Sequence, residues 1–308
     1  EPMKKSLTKP ETMIPLHSGM RVGVDIGGTF TDLVFTNADQ HLDKLKVPST
    51  PDDYSRAIVS GIEKYLSQKN IDGESIDEIV HATTVATNAI LERKGARTGL
   101  ITTKGFRDVL ELRRIRIPFS YDLNWQKPAP LVDRFLRCEV NERVDAAGNI
   151  STPLDKSSLQ DAIQQLRDAS VTSVAVCLLH SYMNPSHEQE IGETIRNELP
   201  DVYVSLSHEV LPEIKEFERT STTVVNAYVA PLIGHYLDEL RENLKRLSVS
   251  APILVMQSNG GLIPSVTASK QPVTIIESGP AAGVIAAAEV ARKGNYPNVI
   301  TLDMGGTT

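Results

Sequence analysis

Met20-Arg21-Val22-Gly23-Val24-Asp25-Ile26-Gly27-Gly28-Thr29-Phe30-Thr31-Asp32-Leu33-Val34-Phe35-Thr36 is the stretch that decides the fold. Its first seven residues alternate like a half-buried strand, Gly27-Gly28 marks a turn, and Thr31 to Thr36 reads as the returning strand of a hairpin. The first strand delivers a carboxylate, Asp25, to the turn. The pattern recurs at the other end of the chain. An apolar run from Asn298 to Leu302, read as a strand, leads into Asp303-Met304-Gly305-Gly306-Thr307, again Asp, apolar, Gly, Gly, Thr. The copies lie too far apart for a stacked repeat. They read as equivalent hairpins of two duplicated half-domains.

Such a turn offers three things to a ligand. The glycines accept backbone angles closed to other residues and let a ligand approach the main chain. Successive N–H groups form an anion-binding nest, to which the threonine hydroxyl adds a donor. The carboxylate suits a hydrated Mg²⁺, which prefers oxygen ligands and keeps several waters. A single copy is equally well explained as a tight turn; the pair points to a polyphosphate gripped from both sides. Asp25 and Asp303 are therefore the candidates for Mg²⁺–phosphate chemistry, directly or through water. Gly27, Gly28, Thr29, Gly305, Gly306 and Thr307 are the candidate phosphate cradle. Gly279, in Glu277-Ser278-Gly279-Pro280 at the head of an Ala-rich helix to about Arg292, adds a second N-terminal anion site. A capped helix with Pro in its first turn is compatible with that role. Neither a Walker loop nor a Rossmann fingerprint is present.

Between the two turns the chain alternates. Strands are expected at Glu78 to His81, Thr98 to Thr102, Ser173 to Leu179, Val202 to Leu206, Ile253 to Gln257 and Val273 to Ile276. Helices are expected at Asp53 to Leu66, from Thr83-Thr84 to Arg93, and over 159–168 and 186–199. A long one runs from about Glu213 to Arg246, with Pro231 as a break or kink. This is an α/β pattern with a largely parallel sheet. The expected division is a leader over 1–20, an α/β domain over 21–205 and the start of a second ATPase domain over 206–308. The segment from Arg113 to Pro130, rich in arginine, proline and aromatics, is long and irregular enough to suspect function.

Composition narrows the classes. Of 308 residues, 32 are Lys or Arg and 39 Asp or Glu, a net charge of −7. That balance gives no footprint for nucleic acid or an anionic membrane, and no apolar run is long enough to span a bilayer. The leader lacks a signal-peptide core. Cys177 lies in the run Val174 to Leu179 and reads as a buried free thiol, which fits a reducing cytoplasm. His180 and His187 match no zinc spacing. Ser258 and Ser278 sit in no nucleophile elbow.

The whole set of blocks resembles one family. Val24-Asp25-Ile26-Gly27-Gly28-Thr29-Phe30-Thr31-Asp32, His81-Ala82-Thr83-Thr84-Val85-Ala86-Thr87-Asn88-Ala89-Ile90, Leu178-Leu179-His180-Ser181-Tyr182, Glu218-Arg219-Thr220-Ser221-Thr222, Gln257-Ser258-Asn259-Gly260-Gly261, Glu277-Ser278-Gly279-Pro280 and the Asp303 motif are similar, in order, to the hydantoinase/5-oxoprolinase family. That family also contains the acetone carboxylase β subunit. The resemblance implies an actin/hexokinase/chaperone ATPase-like, ribonuclease H-like fold, with the second half-domain truncated. It implies ATP and Mg²⁺ as cofactors, and ATP-dependent hydrolysis of a hydantoin, 5-oxoproline or other lactam through phosphorylation of the carbonyl oxygen. A hydantoinase B-like partner, and so a hetero-oligomer, is implied too. A ketone carboxylase subunit is the alternative within the family, and a non-catalytic ATP-driven switch the alternative outside it. Ala82 stands where relatives usually carry glycine, and Arg113-Arg114-Ile115-Arg116 where they often run Gly-Arg-Gln. His81, Arg113, Arg114 and Arg116 are the candidate substrate residues, with a structural histidine and a solvated arginine loop as the alternatives.

Overall fold

A computed structural model describes residues 19–304 apart from 38, 40, 51 and 115–120. The opening hairpin forms as its pattern dictates. β1 (Met20–Ile26) buries Met20, Val22, Val24 and Ile26 and turns Arg21 and Asp25 outward, and β2 (Phe30–Thr36) returns antiparallel to it. β3 (Leu42–Pro48) adds a third antiparallel strand. It was not legible beforehand, because at the sheet edge its Leu-Asp-Lys-Leu-Lys buries little.

α1 (Tyr54–Lys69) starts where Asp53 accepts the backbone N–H groups of Ser55 (3.0 Å) and Arg56 (3.3 Å), and stops at left-handed Asn70. It lays Ala57, Ile58, Ile62 and Leu66 against the sheet. β4 (Ile76–Thr83) then pairs parallel to β1, and α2 (Val85–Leu91) follows it.

A second sheet comes next. β5 (Thr98–Thr103) is buried along its whole length; α3 (Val109–Leu112), β6 (Arg137–Val140) and the small hairpin β7 (Arg143–Val144) and β8 (Ile150–Thr152) follow. α4 (Lys156–Asp168), β9 (Ser173–Cys177), α5 (Ser186–Glu198) and β10 (Tyr203–Leu206) continue the alternation. The order β10-β9-β5-β6 is parallel throughout, and β5 and β9 are buried on both faces, as inner strands of a parallel sheet are.

After α6 (Ser207–Val210) comes α7 (Glu216–Arg246). Its Val224 and Ala227 belong to the core of the second sheet; Tyr228, Val229, Ile233, Tyr236, Leu237, Leu240 and Leu244 belong to that of the first. Pro231 lies inside this helix without ending it, so the break expected there is corrected to a continuous helix. Burial on both sides of it, at roughly 1.5–3 kcal/mol per large apolar side chain, outweighs the loss of about 3 kcal/mol that a helix-interior proline brings.

β11 (Ile253–Met256) returns to the first sheet, parallel to β4, and β12 (Leu262–Pro264) closes that edge, giving β12-β11-β4-β1-β2-β3. α8 (Ser265–Lys270) and α9 (Ser278–Lys293) complete the described elements. Two expected strands are corrected. Pro272–Ile275 is a 3₁₀ turn; Pro272 has no N–H to give a ladder, and Thr274 bonds back to Gln271. Residues 298–302 pair with no described strand, and Ile300 is 98% exposed.

Candidate functional site

The carboxyl ends of β1 and β4 and the start of α9 meet at one place. The turn after β1 is closed by Gly27 N–H donating to the Phe30 carbonyl at 3.0 Å. Ser49, just past β3, grips it twice. Its hydroxyl donates to the Gly27 carbonyl (2.7 Å) and its N–H to the Thr29 carbonyl (2.9 Å). The carbonyls of Gly27 and Thr29 are thus occupied, while the N–H groups of Gly28 and Thr29 have no protein acceptor among the described residues. One part of the sequence reading needs correcting. Among the described residues the glycines with positive φ are Gly105, Gly148 and Gly260, so Gly27 and Gly28 do not use left-handed backbone.

α9 is pinned to β4 by Ser278, whose buried hydroxyl donates to the Thr83 carbonyl (2.9 Å) and accepts from the Thr83 N–H (3.1 Å). Glu277, itself left-handed at φ 62°, donates its N–H to the Thr87 hydroxyl at 3.0 Å. Thr84 reaches back to the Ile26 carbonyl (3.3 Å) beside the glycine turn. These bonds bring Gly279 so close that a Cβ there would lie 3.2 Å from Thr84 Cγ2 and 3.8 Å from Asp25 Oδ1. A side chain at this position would crowd Thr84, and the positive end of α9 faces the Asp25 carboxylate.

Asp25 opens into a cleft of about 1250 Å³, bordered also by Asp32, Ala82, Gly279, Gly283 and Asp303. Its pKa is raised, first by the packed protein around it, then by the Asp32 and Asp303 carboxylates, with Lys46 working the other way. Asp32 sits opposite Asp25 in the hairpin register and is paired with Lys46 at 3.0 Å. Asp303 approaches α9 at Gly283, where a Cβ would lie 4.0 Å from Asp303 Oδ2. Asp25 and Asp303, in one cleft, repelling each other and in no ion pair among the described residues, are a donor set that suits Mg²⁺ with phosphate and water completing its shell. Among the described residues no group of three or more His, Cys, Asp or Glu is placed to hold a metal ion by itself.

The cleft therefore brings together Asp25, Gly279 and Asp303, while Gly27, Gly28 and Thr29 form the turn that follows β1 and are not among the residues bordering it. Gly305, Gly306 and Thr307 lie outside the described residues, as does Arg116. His81 is corrected. Strand alternation turns Val80 and Ala82 to the cleft and His81 away from it, fully buried. Its Nε2 accepts from Tyr236 OH at 2.6 Å and its Nδ1 lies 3.4 Å from the Val24 carbonyl, so these partners assign the proton to Nδ1. Burial pushes its pKa down to about 4, which makes it a neutral core histidine. Arg114 pairs with Glu218 at the surface, and Arg113 donates to the Pro128 carbonyl beside a separate pocket. Neither borders the cleft. Sequence reading missed Ser49, Lys46 and the pinning role of Ser278, because each acts on a residue brought near only by folding.

A hairpin with free amides, a strand-end carboxylate and a helix N-terminus, on a sheet with three antiparallel strands followed by two parallel ones, define a protein of the actin/hexokinase/chaperone ATPase architecture. The chain belongs to the hydantoinase/oxoprolinase family. The hydantoinase/oxoprolinase N-terminal region matches residues 21–199, and the hydantoinase/oxoprolinase region proper matches residues 219–308. An uncharacterised protein of Methanocaldococcus jannaschii is 45% identical over 94% of this chain and 43% of its own length. The crystal structure of the ATP-dependent caprolactamase from Pseudomonas jessenii superposes with a TM-score of 0.81 at 38% identity, over 93% of this chain and 42% of that one. Nucleotide-free acetone carboxylase superposes with a TM-score of 0.82 at 28% identity, over 91% and 42%. The chain thus spans about two-fifths of the length of these relatives. No described helix is long and apolar enough to cross a membrane.

Proposed function

We propose that this chain is the ATP-binding part of an enzyme that opens a cyclic amide, such as a hydantoin, 5-oxoproline or another lactam. The observation that carries the reading is the convergence of Asp25, Asp303 and the α9 N-terminus at Gly279 on one cleft, at the end of the strand that turns through Gly27-Gly28-Thr29. Amide resonance, with a rotation barrier of roughly 18–20 kcal/mol, makes a lactam carbonyl a poor electrophile. ATP would supply a phosphoryl group to the carbonyl oxygen and so turn that oxygen into a leaving group. The chain's own share is positioning and charge. Gly27, Gly28 and Thr29 would hold phosphate oxygens through backbone N–H groups, and Gly279 would add the end of a helix. Asp25 and Asp303 would hold Mg²⁺, directly or through water. Gly305, Gly306 and Thr307 would supply the facing turn at the head of a second half-domain. A hydantoinase B-like partner would complete a hetero-oligomer, and the buried free thiols of Cys138 and Cys177 favour a reducing cytoplasm.

The likeness to acetone carboxylase supports a second reading, in which the same cleft activates a ketone enol or bicarbonate for carboxylation. Product analysis separates the two. With the full-length protein and its partner, ring-opened amino acid released together with phosphate supports the first. Bicarbonate-dependent carboxylate product supports the second, and ATP turnover indifferent to any small molecule overturns both.

A further inference from the structure

We propose that Lys46 is a further residue of the phosphate site, a side chain that the fold keeps beside Asp25 and that turns onto the phosphate oxygens of Mg·ATP when they bind. The inference rests on the nucleotide-binding part of the reading above and supplies that site with its cation. The cleft at Asp25 is short of positive charge. Three carboxylates border it, those of Asp25, Asp32 and Asp303, and no Lys or Arg stands among its described lining residues. A polyphosphate brings further negative charge into the same space. Sites that bind and transfer phosphoryl groups pair the metal with Lys or Arg for this reason. Among the described residues, Lys46 is the cation whose charge acts on Asp25.

Strand register puts it there. Asp25 on β1 lies opposite Asp32 on β2, and Asp32 lies opposite Lys46 on β3, so the three form one row across the hairpin sheet. Directly opposed residues share a face, with Cβ atoms roughly 4.5–5.5 Å apart. The Lys46 ammonium is 3.0 Å from Asp32 Oδ2 and 5.2 Å from the centre of the Phe30 ring. Phe30 and Asp32, two residues apart on β2, lie on that same face. Phe30 is an exposed ring beside the glycine turn, and the lysine is its cation–π partner. β3 thus leads into the site twice, since Ser49, just past its end, holds the carbonyls of Gly27 and Thr29.

The contact with Asp32 is a resting place more than a structural tie. The Lys46 side chain is 57% exposed and that of Asp32 48%, and an ion pair in that much water contributes little to stability. Lysine carries three donors on a flexible four-carbon stem. The ammonium can therefore swing from Asp32 to a phosphate oxygen above Asp25 with no change of backbone. Until then it offsets part of the repulsion between the Asp25 and Asp32 carboxylates.

The test is isothermal titration of the complete protein with Mg·ATP, comparing wild type with Lys46→Met, which keeps a stem over Phe30 and removes the charge. Affinity should fall by at least about tenfold, the loss expected of one charge-assisted hydrogen bond. Lys46→Arg, which keeps the charge, should recover most of it. Lys44→Met is the control. Lys44 shares the face of Lys46 but lies opposite Val34, one pair farther from the turn, and its loss should change affinity less than about twofold, because solvent screens a charge at that distance. Thermal melting should find all three variants as stable as wild type, since both lysines are exposed. Affinity left unchanged by Lys46→Met overturns the proposal. So does an equal loss in Lys44→Met, which would mark a general field and no contact. Wild-type protein that binds no Mg·ATP overturns the nucleotide site and this proposal together. None of these outcomes depends on the organic substrate. If Lys46→Met weakens Mg·ATP while no cyclic amide stimulates phosphate release by the wild-type enzyme, the cyclic-amide reading falls and Lys46 keeps its place.

Discussion

His81 offers a quantitative test of which side of β4 faces the cleft. Its ring is completely buried, with Tyr236 OH 2.6 Å from Nε2, and burial holds its pKa near 4 against an ordinary 6.5. The unfolded chain therefore takes up a proton near pH 6.5 and the folded chain only near pH 4. Between those values the unfolded state binds more protons, so stability falls as pH falls. At about 1.36 kcal/mol per pH unit, the gap from 6.5 to about 4 amounts to about 3 kcal/mol. The perturbation is acidification of wild type alongside His81→Gln, which keeps an acceptor for Tyr236 and a donor for Val24 but cannot titrate. Urea unfolding followed by circular dichroism at a series of pH values gives both curves. Carboxylate titrations are common to the two proteins, so their difference isolates the histidine. Wild type should lose about 3 kcal/mol more than the variant on going from pH 7 to pH 4. Parallel curves, or an imidazole pKa near 6.5 by NMR, would refute the burial argument and return His81 to the list of cleft residues.

Four further variants test the structure. Asp25→Asn should lower ATP-dependent turnover in the complete enzyme by at least about 100-fold. Thermal melting of the same variant at pH 7 should show no loss of stability, because burial and the Asp32 and Asp303 charges already disfavour the ionised carboxyl. Ser278→Ala leaves both backbone groups of Thr83 without their partner in a buried setting, and should cost roughly 1–3 kcal/mol by denaturant unfolding. Gly279→Ala sets a methyl 3.2 Å from Thr84 Cγ2, and should raise the KM for ATP more than it lowers kcat. Arg114→Ala removes a solvent-exposed pair with Glu218, and should leave both Tm and lactam KM unchanged.

Local pattern carried much of this protein. The β1–β2 hairpin was legible because Val22, Val24 and Ile26 alternate with outward residues up to a double glycine, and α1 because Asp53 caps a run with helical spacing. What failed was non-local. The order of strands along the chain gives no sign that β11, after residue 252, pairs with β4, or that residues 98–206 build a separate sheet in between. Short strands such as β6 and β12 carry too few residues for a period to show. At the site, Asp25 and Gly279 could be chosen from local chemistry, since a strand-end carboxylate and a glycine at a helix start each suggest phosphate. Ser49 and Ser278 could not, because their partners lie 22 and 195 residues away. His81 was misplaced for a simpler reason. A histidine between two strand residues that face a cleft must itself face the core, but which alternate set faces the cleft is fixed only by the sheet's packing.

The central claim is that ATP activates the amide oxygen of a ring held by this chain, and oxygen tracing tests it most directly. The complete enzyme is given a cyclic amide carrying ¹⁸O in its carbonyl, with Mg·ATP in ordinary water, and the released phosphate is weighed by mass spectrometry. If the carbonyl oxygen takes the phosphoryl group, water then attacks the carbon, and the labelled oxygen departs with phosphorus. The account predicts one ¹⁸O in each phosphate, one phosphate per ring opened, and loss of both in Asp25→Asn. Ring opening accompanied by unlabelled phosphate would contradict it.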